Sequence, residues 1–263
     1  GLSVASLSAF ELGKFDKTLS FASKMIQLKP DAVMAYFHRG CALFRLGRFE
    51  TAASDFGQAI TLAPTFSDAL IFRSLVFKEL GKLDDAVADL DQAILLAPEN
   101  HMAFNNRALL HQEQGGLEKA LDDFNSSHAL NPNFPEALNN RGVLHKISGR
   151  IEDALNDFSS AIALQSTYIA ALSNRGELYR QQGHLDEALA DFTSLISVQP
   201  NKAEAYNERG LTLRELFRFD EALADYNKAI SLNPNLVAAY ANRSVVMTEL
   251  RRFDKAAAVC ETA

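Results

Sequence analysis

A 34-residue periodicity constrains the fold of this chain more than any other feature. Prolines recur at Pro30, Pro64, Pro98, Pro132, Pro200 and Pro234, and Ser166 stands in the one position that interrupts the series. Glycines and alanines recur with the same step, from Gly13 to Gly183 and from Ala52 to Ala256. Because the register has no insertion or deletion, the sequence predicts a stack of similar supersecondary units that bury their apolar faces against each other.

Eight repeats follow from this step when Val33 is taken as the first position, or slot 1. Their predicted bounds are 1–32 (partial), 33–66, 67–100, 101–134, 135–168, 169–202, 203–236 and 237–263 (truncated). Since neighbouring repeats cover each other, we expect residues 1–263 to form a single solenoid domain.

Each repeat has the pattern of a helix hairpin, as residues 33–66 illustrate. Apolar residues at helical spacing precede Gly47, which stands where a helix C-cap is expected. A second apolar stripe, which includes Phe56, continues to Leu62. Pro64 ends this helix because proline lacks the backbone donor. The sequence therefore predicts an all-α chain of antiparallel helix pairs.

These positions resemble the tetratricopeptide repeat, which has an aromatic residue or Leu at slot 4, a small residue at slot 8 and Gly at slot 15. The family pattern continues with Ala at slot 20, an aromatic residue at slot 24, Ala at slot 27 and Pro at slot 32. The resemblance covers all 263 residues, with local departures such as Phe217 and Arg251 at slot 15. It implies a right-handed superhelical solenoid in which slots 2, 6, 9 and 13 of the first helices line a concave groove.

Two charged positions recur with the repeat. Arginine occupies slot 7 from Arg39 to Arg243, and aspartate occupies slot 23 from Asp55 to Asp225. A charge inside a helix stack is costly unless it is paired, so we predict a ladder of ion pairs between first and second helices. The alternative is that the arginines form a basic track for an acidic peptide.

Slot 6 supplies most of the candidate binding residues. It holds His38, Phe72, Asn106, Asn140, Asn174, Glu208 and Asn242. An asparagine amide presents both a donor and an acceptor, as a peptide backbone does. We therefore predict that Asn106, Asn140 and Asn174 form a ladder for a peptide main chain, similar to those of some tetratricopeptide and armadillo arrays. The alternative is that asparagine at slot 6 belongs to the general repeat consensus.

An apolar pocket is expected beside this polar track, with Phe37, His38 and Phe72 in its lining. An apolar pocket next to a polar track suits a ligand that has one hydrophobic anchor and an extended tail. The alternative is that some of these side chains pack inward.

Composition excludes several other functions. The formal net charge of −7 repels a phosphate backbone, so no nucleic acid is expected as a partner. No apolar run approaches the length of a membrane helix, and we expect a cytoplasmic protein without a membrane partner.

Cys41 and Cys260 are too far apart for a disulfide within one chain, and among the histidines only His111 and His145 share a slot. We therefore expect no metal, cofactor or catalytic residue.

The predicted function is that of a non-catalytic interaction scaffold, which holds an extended peptide or a partner helix in its groove. The alternative is the substrate-recruiting portion of a larger enzyme, such as a peptide glycosyltransferase, in which similar arrays precede the catalytic domain. The sequence has no polar capping helix at either end, which also makes a homodimer through the uncapped ends possible.

Overall fold

The computed structural model describes Ser6, Phe10 and residues 12–261, with side chains described as far as Arg251. The side chains of Ala256 and Cys260, which the sequence placed in the last repeat, therefore lie outside the described residues. In the described part, the chain forms α-helices and no strand, which confirms the all-α prediction. The helices are α1 (Phe15–Leu28), α2 (Val33–Arg45), α3 (Phe49–Leu62), α4 (Ser67–Glu79), α5 (Leu83–Leu96), α6 (His101–Glu113), α7 (Leu117–Leu130), α8 (Pro135–Ile147), α9 (Ile151–Leu164), α10 (Ile169–Gln181), α11 (Leu185–Val198), α12 (Ala203–Glu215), α13 (Phe219–Leu232) and α14 (Val237–Glu261).

The chain divides into two compact units, Gly1–Pro132 and Asn133–Ala263. In the first unit, α2 packs on α3, α4 on α5, and α6 on α7, while α3 also contacts α4 and α5 also contacts α6. The second unit repeats this arrangement with the pairs α8 and α9, α10 and α11, and α12 and α13, followed by α14. The single-domain assignment over residues 1–263 stays a prediction.

The helices begin at constant positions of the 34-residue register. All six whole repeats begin with a helix at slot 1, and the second helix of each begins at slot 17. The turn between them is closed by glycine at slot 15, as at Gly47, whose φ is 71°. Glycine is favoured there because other residues pay a steric penalty at positive φ. Phe217 is the exception, since it adopts a φ of 59° at the same slot.

Small residues allow the two helices of a hairpin to approach closely. Ala52, Phe56 and Ala59, at slots 20, 24 and 27, are fully buried, and their equivalents repeat this pattern along both units. At slot 8, a Cβ atom added to Gly142 would lie 2.7 Å from the ring of Phe158. The backbone of the first helix therefore rests directly on the aromatic ring at slot 24.

The last repeat differs from the predicted hairpin. Helix α14 runs without interruption from Val237 to Glu261, through Arg251 at slot 15. Arginine has no advantage at positive φ, so nothing in the local sequence favours a turn at this position. Phe217 keeps its turn because α12 and α13 both pack against neighbouring helices, and this packing offsets the backbone cost.

Candidate functional site

The ion-pair ladder predicted between slots 7 and 23 is present in six repeats. In each, the arginine Nε and Nη2 atoms donate to the two oxygens of one aspartate, over distances of 2.6 to 2.9 Å. The pairs are Arg39–Asp55, Arg73–Asp89, Arg107–Asp123, Arg141–Asp157, Arg175–Asp191 and Arg209–Asp225. The aspartates are buried, and the hydrogen bond to aspartate raises the pKa of each arginine. The geometry favours the structural interpretation of these arginines over a basic track.

We call the surface formed by slots 2, 6, 9 and 13 of the first helices the A-helix surface. Within each unit, successive first helices contact each other through slot 5 of one repeat and slot 6 of the next. In the second unit, Asn174 Nδ2 donates to Asn139 Oδ1 over 2.9 Å, and Asn242 Nδ2 donates to Asn207 Oδ1 over 3.0 Å. The slot-6 amides of Asn174 and Asn242 therefore join neighbouring repeats.

The same contact has an apolar form in the first unit. Phe37 and Phe72 occupy slots 5 and 6 of successive repeats, and their ring centroids lie 5.3 Å apart in an edge-to-face arrangement. Sequence reasoning missed the role of slot 5, although the adjacent asparagines at positions 105–106 and 139–140 were a signal for it. The slot-5 to slot-6 contact is thus a pair of amides at Asn139–Asn174 and Asn207–Asn242, and a pair of aromatic rings at Phe37–Phe72.

The residues predicted to line an apolar pocket pack largely inward. Phe37 also contacts the rings of Phe56 and Phe66, with centroids 5.8 and 5.0 Å away. His38 is only 6% exposed, and burial lowers its pKa. Phe72 is half-buried against the same aromatic cluster. These contacts agree with the inward-packing alternative, and a ligand role for the three predicted residues stays a prediction.

Asn106 has different surroundings from the other slot-6 asparagines. Its slot-5 counterpart in the preceding repeat is Ile71, which has no hydrogen-bonding side chain. Among the described residues, the half-buried Asn106 amide has no hydrogen-bond partner. It borders a small crevice whose other walls include Leu75 and Leu109, with Lys78 at one side. An amide with unused donors and an acceptor therefore lies beside leucine side chains, in a crevice that Ser74 and Lys78 also line.

Asn140 and Glu208 complete the predicted set. Asn140 is half-buried and accepts a hydrogen bond from Asn139 Nδ2 over 3.4 Å. Glu208 Oε1 accepts from Asn207 Nδ2 over 3.2 Å, and Glu208 Oε2 lies 3.5 Å from Arg180 Nη2. Glu208 is thus a carboxylate fixed from two sides on the A-helix surface.

Glu208 belongs to a charged network that links first helices in the second unit. Arg180 Nη1 donates to Glu215 Oε1 over 3.0 Å, and one repeat earlier Lys146 Nζ donates to Glu177 Oε2 over 2.8 Å. Tyr226 on α13 is fully buried, and desolvation by burial raises its pKa to about 12. The charges of Glu208 and of two arginines, Arg214 and Arg180, also act on its hydroxyl.

No group of three or more His, Cys, Asp or Glu side chains in the described part is arranged to hold a metal ion. None of the described helices combines the length and apolarity that a membrane crossing requires.

Stacked helix hairpins with a constant 34-residue register and a shared A-helix surface define a helical repeat protein of the solenoid class. Family profiles make the assignment specific. Profiles described as "Tetratricopeptide repeat" match residues 33–66, 73–133 and 203–236, and one described as "TPR repeat" matches residues 176–216. Together these matches cover more than half of the chain, which belongs to the tetratricopeptide repeat family.

Solved structures of similar fold agree with this assignment. The crystal structure of the APC/C hetero-tetramer Cut9–Hcn1 matches 93% of this chain with a TM-score of 0.74 at 20% identity. The match covers 48% of that structure's chain, so the present chain spans about half its length. A tetratricopeptide repeat protein from Parabacteroides merdae matches 94% of this chain and 97% of its own, with a TM-score of 0.66 at 20% identity.

YrrB, described as a tetratricopeptide repeat protein with an unusual peptide-binding site, matches 73% of this chain and 99% of its own. Its TM-score is 0.58 at 21% identity. At 20–21% identity, the structural similarity shows that this chain shares the fold of these proteins. Among curated proteins, no sequence matches this chain significantly.

Proposed function

We propose that this chain is a non-catalytic interaction scaffold that binds an extended peptide segment of a partner protein on its A-helix surface. The observation that carries the proposal is the Asn106 amide, which has no hydrogen-bond partner among the described residues and lies beside Leu75 and Leu109. A peptide backbone can satisfy both ends of such an amide while a neighbouring side chain of the peptide covers the leucines.

The surroundings of Asn106 support binding of an apolar side chain. Met102, four residues before Asn106 on α6, is 47% exposed. Methionine is flexible and polarizable, so it adapts to the shape of an apolar ligand group. This part of α6 therefore offers an exposed apolar side chain together with a polar amide, which is the usual composition of a specific binding site.

The similarity to YrrB supports the choice of a peptide as the ligand, because that neighbour is described by its peptide-binding site. The family assignment supports a scaffold over an enzyme. If the array forms part of a larger enzyme, the same surface would recruit the substrate.

Screening of a diverse array of acetylated and amidated dodecapeptides, followed by fluorescence anisotropy on the peptides that bind, tests this proposal. One lost amide hydrogen bond costs about 1 kcal/mol, so Asn106→Ala should weaken peptide binding by about fivefold. Asn156→Ala is the matched control, because Asn156 is an exposed asparagine on the second helix α9. The control variant should bind within about twofold of the wild type.

The substitutions at Asn174 and Asn242 are less suitable for this test. Both amides bond to neighbouring repeats, so their removal would change stability as well as binding. Failure of every peptide to bind the wild type would refute the proposal. Equal binding by wild type and Asn106→Ala would remove Asn106 from the site.

A further inference from the structure

The small crevice beside Asn106 extends from the A-helix surface into the core of the first unit. It lies between the first helices α4 and α6, and part of its lining comes from the second helix α5. Leu75 and Leu109 in its lining are half-buried, whereas Leu90 and Leu110 are only 0% and 2% exposed. A ligand group that enters the crevice therefore reaches side chains that a ligand on the surface does not contact.

Three polar residues also line the crevice, and two of them already have partners. Ser74 Oγ donates to the backbone carbonyl of Ile71 over 2.6 Å, and Lys78 Nζ lies 3.7 Å from Glu113 Oε2. The third is Asn106, whose amide has no hydrogen-bond partner among the described residues. The crevice therefore offers a ligand apolar walls together with one available amide.

The preceding pair of first helices, α2 and α4, has aromatic rings at the equivalent positions. Phe56 occupies slot 24, as Leu90 does, and Phe72 occupies slot 6, as Asn106 does. The centroids of these two rings lie 6.0 Å apart, and the Phe37 ring packs on both, with centroid distances of 5.8 and 5.3 Å. Between α2 and α4, apolar side chains of the protein itself therefore fill the space that forms a crevice between α4 and α6.

Slots 8 and 24 both differ in the repeat that contributes Leu90. In the preceding repeat, a Cβ atom added to Gly40 at slot 8 would lie 2.9 Å from the Phe56 ring at slot 24, so a ring at slot 24 requires a small residue at slot 8. In the repeat formed by α4 and α5, slot 8 is Ser74 and slot 24 is Leu90. The replacement of a ring by leucine at slot 24 therefore coincides with the crevice.

We propose that the crevice between α4 and α6 binds one aliphatic side chain of the partner peptide, such as leucine, while the Asn106 amide bonds to the peptide backbone beside it. An aliphatic side chain gains contact with the lining leucines, whereas a polar or charged one would lose its hydrogen bonds to water there. The crevice is small, which favours an aliphatic side chain over an aromatic ring. This proposal rests on the proposed function, because it specifies the chemistry of the same peptide ligand.

The test measures the preference for leucine at one peptide position. Peptides selected on the dodecapeptide array are resynthesised with leucine, alanine, asparagine or phenylalanine at each position in turn, and their affinities are measured by fluorescence anisotropy. Asparagine has a branched side chain like leucine but is polar, and phenylalanine is apolar but larger. For the wild type we expect leucine to bind about tenfold more tightly than alanine or asparagine at one position, and phenylalanine to bind more weakly than leucine there.

Leu90 connects this preference to the crevice, because it is fully buried and contacts only a ligand group that enters. The double variant Ser74→Ala with Leu90→Phe places a ring in the crevice and reproduces Ala108 and Phe124, the fully buried pair at slots 8 and 24 of the next repeat. It should reduce the preference for leucine to about twofold or less, while alanine peptides bind as they do to the wild type. Leu95→Phe is the matched control, since Leu95 is 82% exposed on the same helix α5, and it should keep the full preference.

A second variant keeps the test decisive if circular dichroism shows that the double variant does not fold. Leu109→Ala removes one half-buried wall of the crevice and should lower the preference for leucine by about threefold.

The outcomes separate the two proposals. If peptides bind and no position prefers leucine over alanine and asparagine, the crevice site is refuted and the scaffold function stands. The same conclusion follows if the preference survives in the folded double variant or in Leu109→Ala, or if phenylalanine binds more tightly than leucine at that position. If no peptide binds the wild type, both proposals are refuted.

Discussion

Replacement of Tyr226 by phenylalanine should make the protein more stable. The Tyr226 ring is fully buried, and among the described residues its hydroxyl has no hydrogen-bond partner. A buried polar group that lacks a partner costs about 1–3 kcal/mol, because it has lost its hydrogen bonds to water. Removal of the oxygen removes this cost but leaves a small gap in the packing, which lowers the stability slightly. We therefore expect Tyr226→Phe to raise the free energy of unfolding by about 1 kcal/mol.

Urea denaturation followed by circular dichroism measures the global effect of Tyr226→Phe. Stability in a repeat array is a sum of local terms, so native-state hydrogen exchange at the amides of α12 and α13 measures the effect where it arises. Phe192→Tyr is the converse variant, since it adds a hydroxyl at the same slot of the preceding repeat, and it should lower stability by about 1–3 kcal/mol. A loss of more than about 0.5 kcal/mol in Tyr226→Phe would refute the reasoning, because it would show that the hydroxyl is hydrogen-bonded in the folded protein.

Three further predictions concern the turn, the ion pairs and a buried histidine. Phe217→Gly should raise the free energy of unfolding by about 1 kcal/mol, because glycine accepts the φ of 59° without strain; a lower melting temperature would contradict this. Asp157→Ala should cost about 2–3 kcal/mol in urea denaturation, since it removes the buried carboxylate that neutralises the Arg141 guanidinium, and a further Arg141→Leu change should recover most of the loss. Burial lowers the pKa of His145 from its ordinary 6.5, so stability should be constant above about pH 7 and fall as the pH drops below 6.5. His145→Gln should reduce that slope in denaturation curves measured from pH 7.5 to 5, and an unchanged slope would exclude His145 as its source.

The hairpins could be predicted from sequence because each slot has the same environment in every repeat. Gly47 and its equivalents mark the turns, and the ion pairs follow from Arg and Asp residues placed 16 positions apart across each turn. These contacts lie within one hairpin, where spacing along the chain determines which side chains meet. Sequence reasoning was therefore sufficient for the helix starts and for the Arg–Asp ladder.

The contacts between hairpins could not be predicted in the same way. The pairing of Asn174 with Asn139 depends on how closely successive first helices pack, which no single repeat encodes. The Tyr226 hydroxyl was overlooked because tyrosine and phenylalanine satisfy the same aromatic pattern at slot 24. The continuity of α14 was also not predicted. Both Phe217 and Arg251 replace glycine at slot 15, but the chain turns at Phe217 and continues as a helix through Arg251.

The slot-5 to slot-6 contact gives a physical criterion for distinguishing structural residues from binding residues on the A-helix surface. Where both side chains have the same chemistry, they bond to or pack against each other and so join two repeats, as Asn139 does with Asn174 and Phe37 with Phe72. Where the slot-5 residue cannot match its counterpart, the slot-6 group keeps hydrogen-bonding capacity that faces solvent. Asn106 is in this second situation, and it is the residue for which we propose a ligand contact. The mismatch weakens cohesion between repeats at this position, and a bound ligand would supply the missing partner.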